Sequence, residues 1–261
     1  MEDVLALSPS RVADFKVCAQ LFKFRVLDGL PQEADPASAR GTLVHAVLEQ
    51  IFLLDAQDRT QERAIFMLHD IWKDLKKAEE VAGLELTEEE ETAWLEQATG
   101  LIRNYFRLED PARVEPHEVE VWVEHATETL LLRGIVDRIE VRSDGEWVLT
   151  DYKTGRTPSV ARTLGSFFGL KFYALLCWRA FGRMPRELRL VHLKEPAVLQ
   201  LVPTEAMLKA MERQLSAVAT ALRRALSTGD WRARPGVHCS WCSYRDRCPA
   251  WSELGSVLGP N

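Results

Sequence analysis

Two strand-like segments joined by a short turn constrain the fold of this chain more than any other feature. The first is LRGIVDRIE at residues 132–140, the second is EWVLTDYKTG at residues 146–155, and Ser-Asp-Gly lies between them. Such a turn between apolar runs is typical of a tight β-hairpin. The wider pattern predicts an α/β fold with strands at about 117–125, 129–142, 146–153, 187–195 and 198–202. Helices are expected around these strands, including single helices at roughly 9–26 and 159–182.

The end of the second segment carries charged residues that can bind a metal ion and activate water. Side chains alternate along a strand, so Asp151 and Lys153 point the same way, and Asp137 on the neighbouring strand can approach them. Carboxylate oxygens hold Mg²⁺, which lowers the pKa of a bound water, and a lysine can orient or deprotonate that water. An isolated Asp-x-Lys triplet is also common at solvated strand ends, so this interpretation depends on its surroundings.

Three successive segments resemble the motifs of a known enzyme family. They are Gly-Thr-Leu-Val-His at 41–45, Gly-Ile-Val-Asp-Arg-Ile at 134–139 and Leu-Thr-Asp-Tyr-Lys-Thr-Gly at 149–155. In order and spacing they are similar to the motifs of PD-(D/E)XK nucleases, and within that superfamily to the branch that holds the RecB nuclease domain and the CRISPR-associated exonucleases. The resemblance covers roughly residues 6–251. It implies one nuclease domain, 1–261, with a restriction-endonuclease-like core in which a mixed sheet is flanked by helices.

The resemblance also implies roles for individual residues. His45, Asp137 and Asp151 would be ligands of Mg²⁺ or Mn²⁺, and the carbonyl of Tyr152 is a further candidate ligand. Lys153 would be the catalytic lysine.

Other residues beside these motifs bear on the metal site. Gly41, His45 and Glu49 recur every four residues, so they lie along one helix face, which can present His45 to a metal. The alternative is that His45 is an ordinary histidine of an amphipathic helix. Glu118 and Glu120 precede the predicted hairpin and are either members of the site or surface residues of a strand.

The family also carries a Q-x-x-x-Y motif in the helix after the Asp-x-Lys strand. Tyr173 matches the tyrosine, but Gly169 occupies the glutamine position. A glutamine there would orient water or a DNA phosphate. Its replacement leaves three alternatives: Lys171 or Ser166 takes its place, the helix is shifted, or activity is weakened. Tyr173 is therefore a second-tier catalytic candidate whose alternative role is packing on the sheet.

Four of the five cysteines form the second strong pattern. Cys239, Cys242 and Cys248 are spaced C-x2-C-x5-C, which is typical of a metal site, and Cys18 is the natural fourth ligand. Iron–sulfur nucleases of the same branch hold a [4Fe–4S] cluster with one early and three late cysteines, so the resemblance implies that cluster here. One departure is Ala19, which stands where a proline usually follows the first cysteine. Spacing alone does not separate the cluster from a Zn²⁺ ion bound by the same thiolates.

The remaining segments are expected to surround this core. Residues 1–26 and 230–251 would pack together as the cluster-binding segments, and residues 55–112 would form a helical insertion. Because the cluster would close a very long loop, its main role would be structural. Cys177 lies in an apolar run and is expected to be a buried thiol.

Charge and hydropathy limit the partners of the chain. The net charge of −6 argues superficially against nucleic-acid binding. Acidic residues, however, are concentrated at 85–96, whereas basic residues gather at 11–25, 153–162, 179–189 and 223–247. A basic channel on an acidic body suits an enzyme that threads a DNA strand and then releases it. The sequence has no membrane-spanning apolar run and no signal peptide, so a reducing cytoplasm is expected.

These features favour a metal-dependent DNA exonuclease that acts on single strands or strand ends in repair or recombination. One alternative is a CRISPR-adaptation nuclease or DNA-binding partner that is active only within a complex, which the missing glutamine favours. Another is an electron-transfer iron–sulfur protein, which leaves the Asp/Asp/Lys arrangement unexplained. No P-loop occurs in the sequence, so a helicase would be a separate partner.

Overall fold

The computed structural model describes residues 5–78, 81, 83–127, 130–159 and 162–251. Of the segments and elements predicted above, residues 1–4, 79, 80, 82, 129, 160 and 161 lie outside this set. The chain divides into two compact units. The terminal unit comprises Met1–Glu33, Ala126–Leu132 and Lys209–Asn261, and the central unit comprises Ala34–His125 and Arg133–Leu208.

A mixed β-sheet forms the centre of the central unit. Neighbouring strands pair in the order β3, β4, β5, β6, and β2 pairs with β3. The β3–β4 and β5–β6 pairs are antiparallel, whereas β4 and β5 are parallel. The strands are β2 (Pro116–Ala126), β3 (Leu130–Val141), β4 (Trp147–Lys153), β5 (Glu187–His192) and β6 (Ala197–Leu201).

The predicted hairpin turn lies between β3 and β4. Gly145 has a φ of +82°, a left-handed conformation that glycine adopts without steric cost, and its N–H donates to the carbonyl of Arg142 at 2.8 Å. The turn places Arg138 opposite Thr150 and Ile139 opposite Leu149. Asp137 therefore comes next to the end of β4 that carries Asp151.

Helix α3 (Pro36–Phe52) presents two different faces. It begins at Asp35, whose carboxylate accepts the N–H of Ser38 at 2.6 Å, and proline occupies its first turn. Its apolar face is fully buried and includes Leu43, Val47 and Ile51. The opposite face is only partly buried and carries Gly41, His45 and Glu49, as the four-residue spacing predicts.

Two long amphipathic helices occupy the segment predicted as a helical insertion. They are α4 (Gln61–Leu75) and α5 (Glu88–Leu108), and α5 begins with a capping box between Thr87 and Glu90. Their apolar faces join the core that contains α3, and the rings of Trp72 and Trp94 lie 4.5 Å apart. Aromatic packing thus anchors the segment that is predicted to be a helical insertion.

The helix predicted at 159–182 is divided in the structure. A short α6 (Thr163–Ser166) is followed by α7 (Phe168–Phe181), and Phe167 between them departs from helical geometry with a ψ of 8°. Helix α7 ends at Gly182, which has a φ of +67°. Its apolar side is buried and includes Cys177, and burial raises the pKa of this thiol to about 12.

In the terminal unit, β1 (Leu5–Leu7) pairs in parallel with the first residues of β3. The single helix predicted at 9–26 is wrong, because Cys18 has an extended backbone (φ −159°, ψ 121°) that ends α1 and precedes α2. The elements are α1 (Pro9–Val17), α2 (Ala19–Phe22), a π-helical turn (Lys23–Leu27) and α8 (Glu205–Thr228).

The architecture agrees with the expected fold class, a mixed sheet flanked by helices. Among the described residues, no helix combines the length and apolarity that crossing a lipid bilayer requires.

Candidate active site

His45 on α3 lies at the centre of a polar group in the central unit. Its Nδ1 is 3.4 Å from Oδ2 of Asp137 and 4.0 Å from Oε1 of Glu120. Its Nε2 is 3.0 Å from the carbonyl oxygen of Tyr152. A carbonyl can only accept, so we assign the proton to Nε2. In the neutral tautomer that carries this proton, Nδ1 presents its lone pair towards the two carboxylates, where a metal ion would lie between them.

Asp137 is held by the backbone of the neighbouring strand. Its Oδ2 accepts the N–H of Tyr152 at 2.8 Å. Burial, and next the negative charge of Asp151, raise the pKa of Asp137 to about 7. Asp137 is buried beside a second carboxylate, so its ionised form is unfavourable. A bound cation would stabilise that ionised form.

Glu120 joins this group through an unusual backbone conformation. Its φ is +47°, the only positive value among non-glycine residues of the described chain, and it lies in the middle of β2. This conformation is rare and strained for a residue with a side chain. Burial raises the pKa of Glu120. Glu118, the other strand glutamate considered from the sequence, is exposed.

His45, Glu120 and Asp137 therefore fit a divalent cation. One ligand atom from each lies within 4.8 Å of the others. The ligand atoms of an octahedral Mg²⁺ ion, each about 2.1 Å from the metal, lie about 3–4 Å from one another. In the described part of the chain, this is the one group of three or more such side chains that meets the distance condition.

Asp151 and Lys153 lie on the same face of β4, as strand alternation predicts. Oδ2 of Asp151 is 2.6 Å from Nζ of Lys153, the carboxylate is largely buried, and 43% of the lysine side chain is exposed. Asp151 stands outside the group of three, but its charge raises the pKa values of Asp137 and Tyr173. The structure thus places the Asp-x-Lys pair next to the candidate metal site.

Tyr173 on α7 packs against the backbone of β3. A Cβ added at Gly134 would lie 2.6 Å from Cε1 of Tyr173, so only glycine leaves room for this ring. Burial, and then the carboxylates of the site, raise the pKa of the phenol. Both sequence alternatives for Tyr173, a site residue and a packing residue, agree with this position.

The proposed substitutes for the missing glutamine are engaged elsewhere. The Ser166 hydroxyl donates to the carbonyl of Thr163 at 2.6 Å, and Nζ of Lys171 donates to the carbonyl of Leu164 at 3.2 Å. At Gly169 itself an added Cβ would meet no atom within 4 Å, so a larger side chain has space there.

A buried arginine fixes Tyr152 from the other face of the sheet. Arg138 has no solvent exposure; its Nη1 donates to the hydroxyl of Tyr152 at 2.7 Å and to Glu109 at 2.6 Å, and its Nη2 donates to Glu140 at 2.8 Å. The backbone of Tyr152 holds Asp137 and His45. Sequence reasoning missed this network, although an arginine within a strand of apolar residues was a signal that it needed buried partners.

His192 is a second polar residue that the sequence did not single out. It lies opposite Lys153 in the β4–β5 pairing and is 3% exposed. Neither ring nitrogen has a hydrogen-bond partner among the described residues. Burial, and next the charge of Lys153, lower its pKa, so the ring is neutral at neutral pH.

An open groove runs beside the candidate metal site. A cavity of about 410 Å³ is lined by the partly exposed face of α3 together with Glu120. Gly41 belongs to this lining, and a Cβ added there would lie 3.1 Å from Oγ1 of Thr154. Helix α3 therefore approaches the residue that follows β4 closely at Gly41.

The four cysteines predicted as cluster ligands line one cavity in the terminal unit. The N–H of Arg234 donates to Sγ of Cys18, and that of Gly236 donates to Sγ of Cys239, both at 3.4 Å. No three of these sulfurs meet the 4.8 Å condition. Ligand sulfurs of a tetrahedral Zn²⁺ ion, about 2.3 Å from the metal, lie about 3.8 Å apart, so these sulfurs are not spaced as in a preformed zinc site. The lining cysteines are Cys18, Cys239, Cys242 and Cys248.

Solved structures with a similar fold include an exonuclease candidate. The crystal structure of "Putative exonuclease" from Eubacterium rectale matches with a TM-score of 0.60 and 13% sequence identity, over 98% of this chain and 94% of that chain. The crystal structure of SSO0001 matches 51% of this chain and 60% of that chain, at 16% identity and a TM-score of 0.34. No curated protein sequence matches.

A family model covers nearly the whole chain. The model describes the PD-(D/E)XK nuclease superfamily and matches residues 6–249, a range that includes all the motifs of the candidate site and all the cysteines. The chain belongs to the PD-(D/E)XK nuclease superfamily.

Proposed function

We propose that this protein is a metal-dependent DNA exonuclease that hydrolyses phosphodiester bonds of single strands or strand ends in repair or recombination. The observation that carries the proposal is the convergence of His45, Glu120 and Asp137 beside the Asp151–Lys153 pair. Superfamily membership supports nuclease chemistry.

Mg²⁺ or Mn²⁺ would be held by His45 through Nδ1 and by Asp137 and Asp151, with Glu120 as an additional carboxylate. The Tyr152 carbonyl, a further candidate ligand from the sequence, accepts from Nε2 on the other edge of the same ring and would therefore orient His45 rather than bind the same ion. When bound, such an ion supplies an activated water and stabilises negative charge on the phosphate. The nitrogen ligand favours Mn²⁺ as a competent alternative to Mg²⁺.

The remaining catalytic work falls to side chains of this chain. Lys153 lies beside Asp151 and is partly exposed, so its ammonium can orient the attacking water and offset charge on the phosphate. Tyr173 lies close enough to the carboxylates for their charges to raise its pKa, and its hydroxyl can donate to a phosphate oxygen.

A second candidate function is a nuclease or DNA-binding partner, as in CRISPR adaptation, that is active only within a complex. Gly169 in place of the family glutamine favours it, because a partner would then supply the missing contact. We expect Gly169→Gln to fold normally, since its side chain has space, and to raise kcat of the isolated protein. An unchanged kcat would mean that the glutamine is not the missing contact, and a helicase or recombination partner should then be tested.

We also propose that Cys18, Cys239, Cys242 and Cys248 hold a [4Fe–4S] cluster, as in the RecB and CRISPR-associated branch. Their common cavity and the two N–H groups that donate to sulfur support a thiolate-bound metal site, and the wide spacing of the sulfurs favours the cluster over Zn²⁺. Its role would be to cross-link segments that are distant in sequence. Anaerobically purified protein should be brown and contain about four irons and four sulfides per chain. One zinc per chain and no iron would contradict the proposal.

Digestion of labelled DNA tests the exonuclease proposal. Linear 5′- and 3′-labelled single strands and a circular single strand are incubated with Mg²⁺, Mn²⁺ or EDTA. We expect metal-dependent loss of the linear strands only, abolished in Lys153→Ala and Asp151→Asn. Lys77→Ala is the matched control, because this exposed lysine also pairs with an aspartate, Asp74 at 2.8 Å. Cleavage of the circle would replace the exonuclease mode by an endonuclease mode.

A further inference from the structure

An exposed tryptophan on β2 lies near the candidate metal site. The side chain of Trp122 is 52% exposed, and the guanidinium of Arg133 on β3 lies 5.7 Å from the centre of its ring. Ile135, two residues further along β3, is 42% exposed. Glu124 accepts the indole N–H at 3.1 Å, which holds the edge of the ring. A large aromatic surface is thus presented to solvent in a fixed orientation.

The position of this surface relates it to the site. Trp122 is two residues from Glu120 on β2, and Ile135 is two residues from Asp137 on β3. Because two residues of even a fully extended chain span at most about 7 Å, the backbone of each lies within about 7 Å of the backbone of a candidate ligand. Each of these two neighbouring strands therefore carries a candidate metal ligand and, two residues away, an exposed apolar residue.

We propose that Trp122, with Arg133 and Ile135, is a stacking platform for an unpaired nucleobase next to the phosphate held at the metal site. This inference rests on the proposed nuclease function and names the feature of its substrate that the site recognises. Every base has a π-face that stacks on an indole, and an arginine beside the ring adds attraction to the neighbouring phosphate. A base within a duplex already has both faces stacked, so the platform selects single strands.

The chain supplies a matched control for the platform. Phe66 on α4 is 64% exposed, and Arg63 lies 5.7 Å from its ring centre, the same distance as for Arg133 and Trp122. Phe66 lies on a helix that carries none of the candidate ligands, whereas Trp122 lies on the same strand as Glu120. Phe66 therefore tests whether any exposed aromatic residue with an arginine would give the same effect.

Binding of a fluorescein-labelled 12-nucleotide single strand, measured by anisotropy with Ca²⁺ in place of Mg²⁺, tests the platform without requiring turnover. We expect Trp122→Ala to weaken binding roughly tenfold, Trp122→Phe to retain most of the affinity, and Phe66→Ala to leave it unchanged. Equal thermal stability of the variants excludes misfolding. Unchanged affinity in Trp122→Ala, or an equal loss in Phe66→Ala, would overturn the proposal.

A series of strands, each with one abasic residue at a different position, identifies the nucleotide whose base stacks on Trp122. In the wild type, one abasic position should weaken binding about as much as Trp122→Ala, and that position should cause no further loss in Trp122→Ala. Additive losses at every position would overturn the proposal. Hydrolysis of the base-free diester bis(4-nitrophenyl) phosphate with Mn²⁺ distinguishes failure of the nuclease proposal from failure of the stacking proposal. Lack of hydrolysis of this diester counts against the nuclease function, whereas the series of abasic strands tests stacking alone.

Discussion

His45 Nε2 lies 3.0 Å from the carbonyl oxygen of Tyr152, the residue between Asp151 and Lys153. The same residue donates its N–H to Asp137 at 2.8 Å. One peptide segment at the end of β4 therefore orients both a nitrogen and a carboxylate towards the candidate metal position. The Asp-x-Lys motif contributes through the backbone of its middle residue as well as through its two charged side chains.

Removing the charge of Asp137 should stabilise the metal-free protein. Its pKa of about 7 means that ionisation of this carboxyl is unfavourable in the folded state. In EDTA at pH 8 we expect Asp137→Asn to raise the free energy of unfolding by about 2 kcal/mol and Tm by several degrees, measured by thermal denaturation. Mn²⁺ should raise Tm of the wild type and not of this variant. Asp144→Asn, in the exposed hairpin turn, is the control and should have no effect.

The stability of the metal-free protein should depend on pH through the same group. Because the pKa rises from 3.8 to about 7 on folding, the native state binds more protons than the unfolded state between about pH 4 and pH 7. The free energy of unfolding therefore falls as pH rises through this window, by at most about 1.4 kcal/mol per pH unit, relative to Asp137→Asn. Urea denaturation of both proteins in EDTA measures the difference; parallel curves would contradict the assignment.

Gly134→Ala should displace Tyr173. The added Cβ would lie 2.6 Å from Cε1 of the ring, so the ring or the strand must move. We expect a loss of about 1–3 kcal/mol in stability and a lower kcat, measured by urea denaturation and DNA digestion. The control is Gly100→Ala in α5, where the new Cβ meets nothing within 4 Å, and which should stabilise the helix by about 1 kcal/mol. Unaltered kcat in Gly134→Ala would mean that Tyr173 only packs.

Tyr152→Phe should weaken metal binding although no ligand is changed. The substitution removes the hydroxyl that accepts from Arg138 at 2.7 Å, while Glu109 and Glu140 continue to pair with the arginine. We expect a loss of about 1–2 kcal/mol in stability and a severalfold lower affinity for Mn²⁺, measured by calorimetry. Tyr105→Phe removes a neighbouring buried hydroxyl, which donates to Glu109 at 2.9 Å, and should leave the Mn²⁺ affinity unchanged. Equal effects of both substitutions would count against a positioning role for Tyr152.

Local patterns predicted the part of the site that depends on one hairpin and one helix face. The turn at Gly145, the shared face of Asp151 and Lys153, and the exposed face of α3 that carries His45 all follow from periods of two and four residues. These features are set by neighbours in sequence, and the structure contains them.

Other features depend on tertiary structure and left no local signal. The positive φ of Glu120 is a departure from strand geometry that no propensity of glutamate predicts, so Glu118 and Glu120 looked equivalent. The extended backbone of Cys18 interrupts a segment whose composition reads as one helix. The pairing of Arg138 with Glu109 joins residues far apart in sequence, and only the folded core brings them together.

Anomalous scattering from a crystal soaked in Mn²⁺ locates the bound metal. We expect one strong peak within bonding distance of His45 Nδ1 and a carboxylate oxygen of Asp137, close to Asp151, and no such peak in an Asp137→Asn crystal. A wild-type crystal whose Mn²⁺ lies elsewhere, with no density between His45 Nδ1 and Asp137, would contradict the assignment of this metal site.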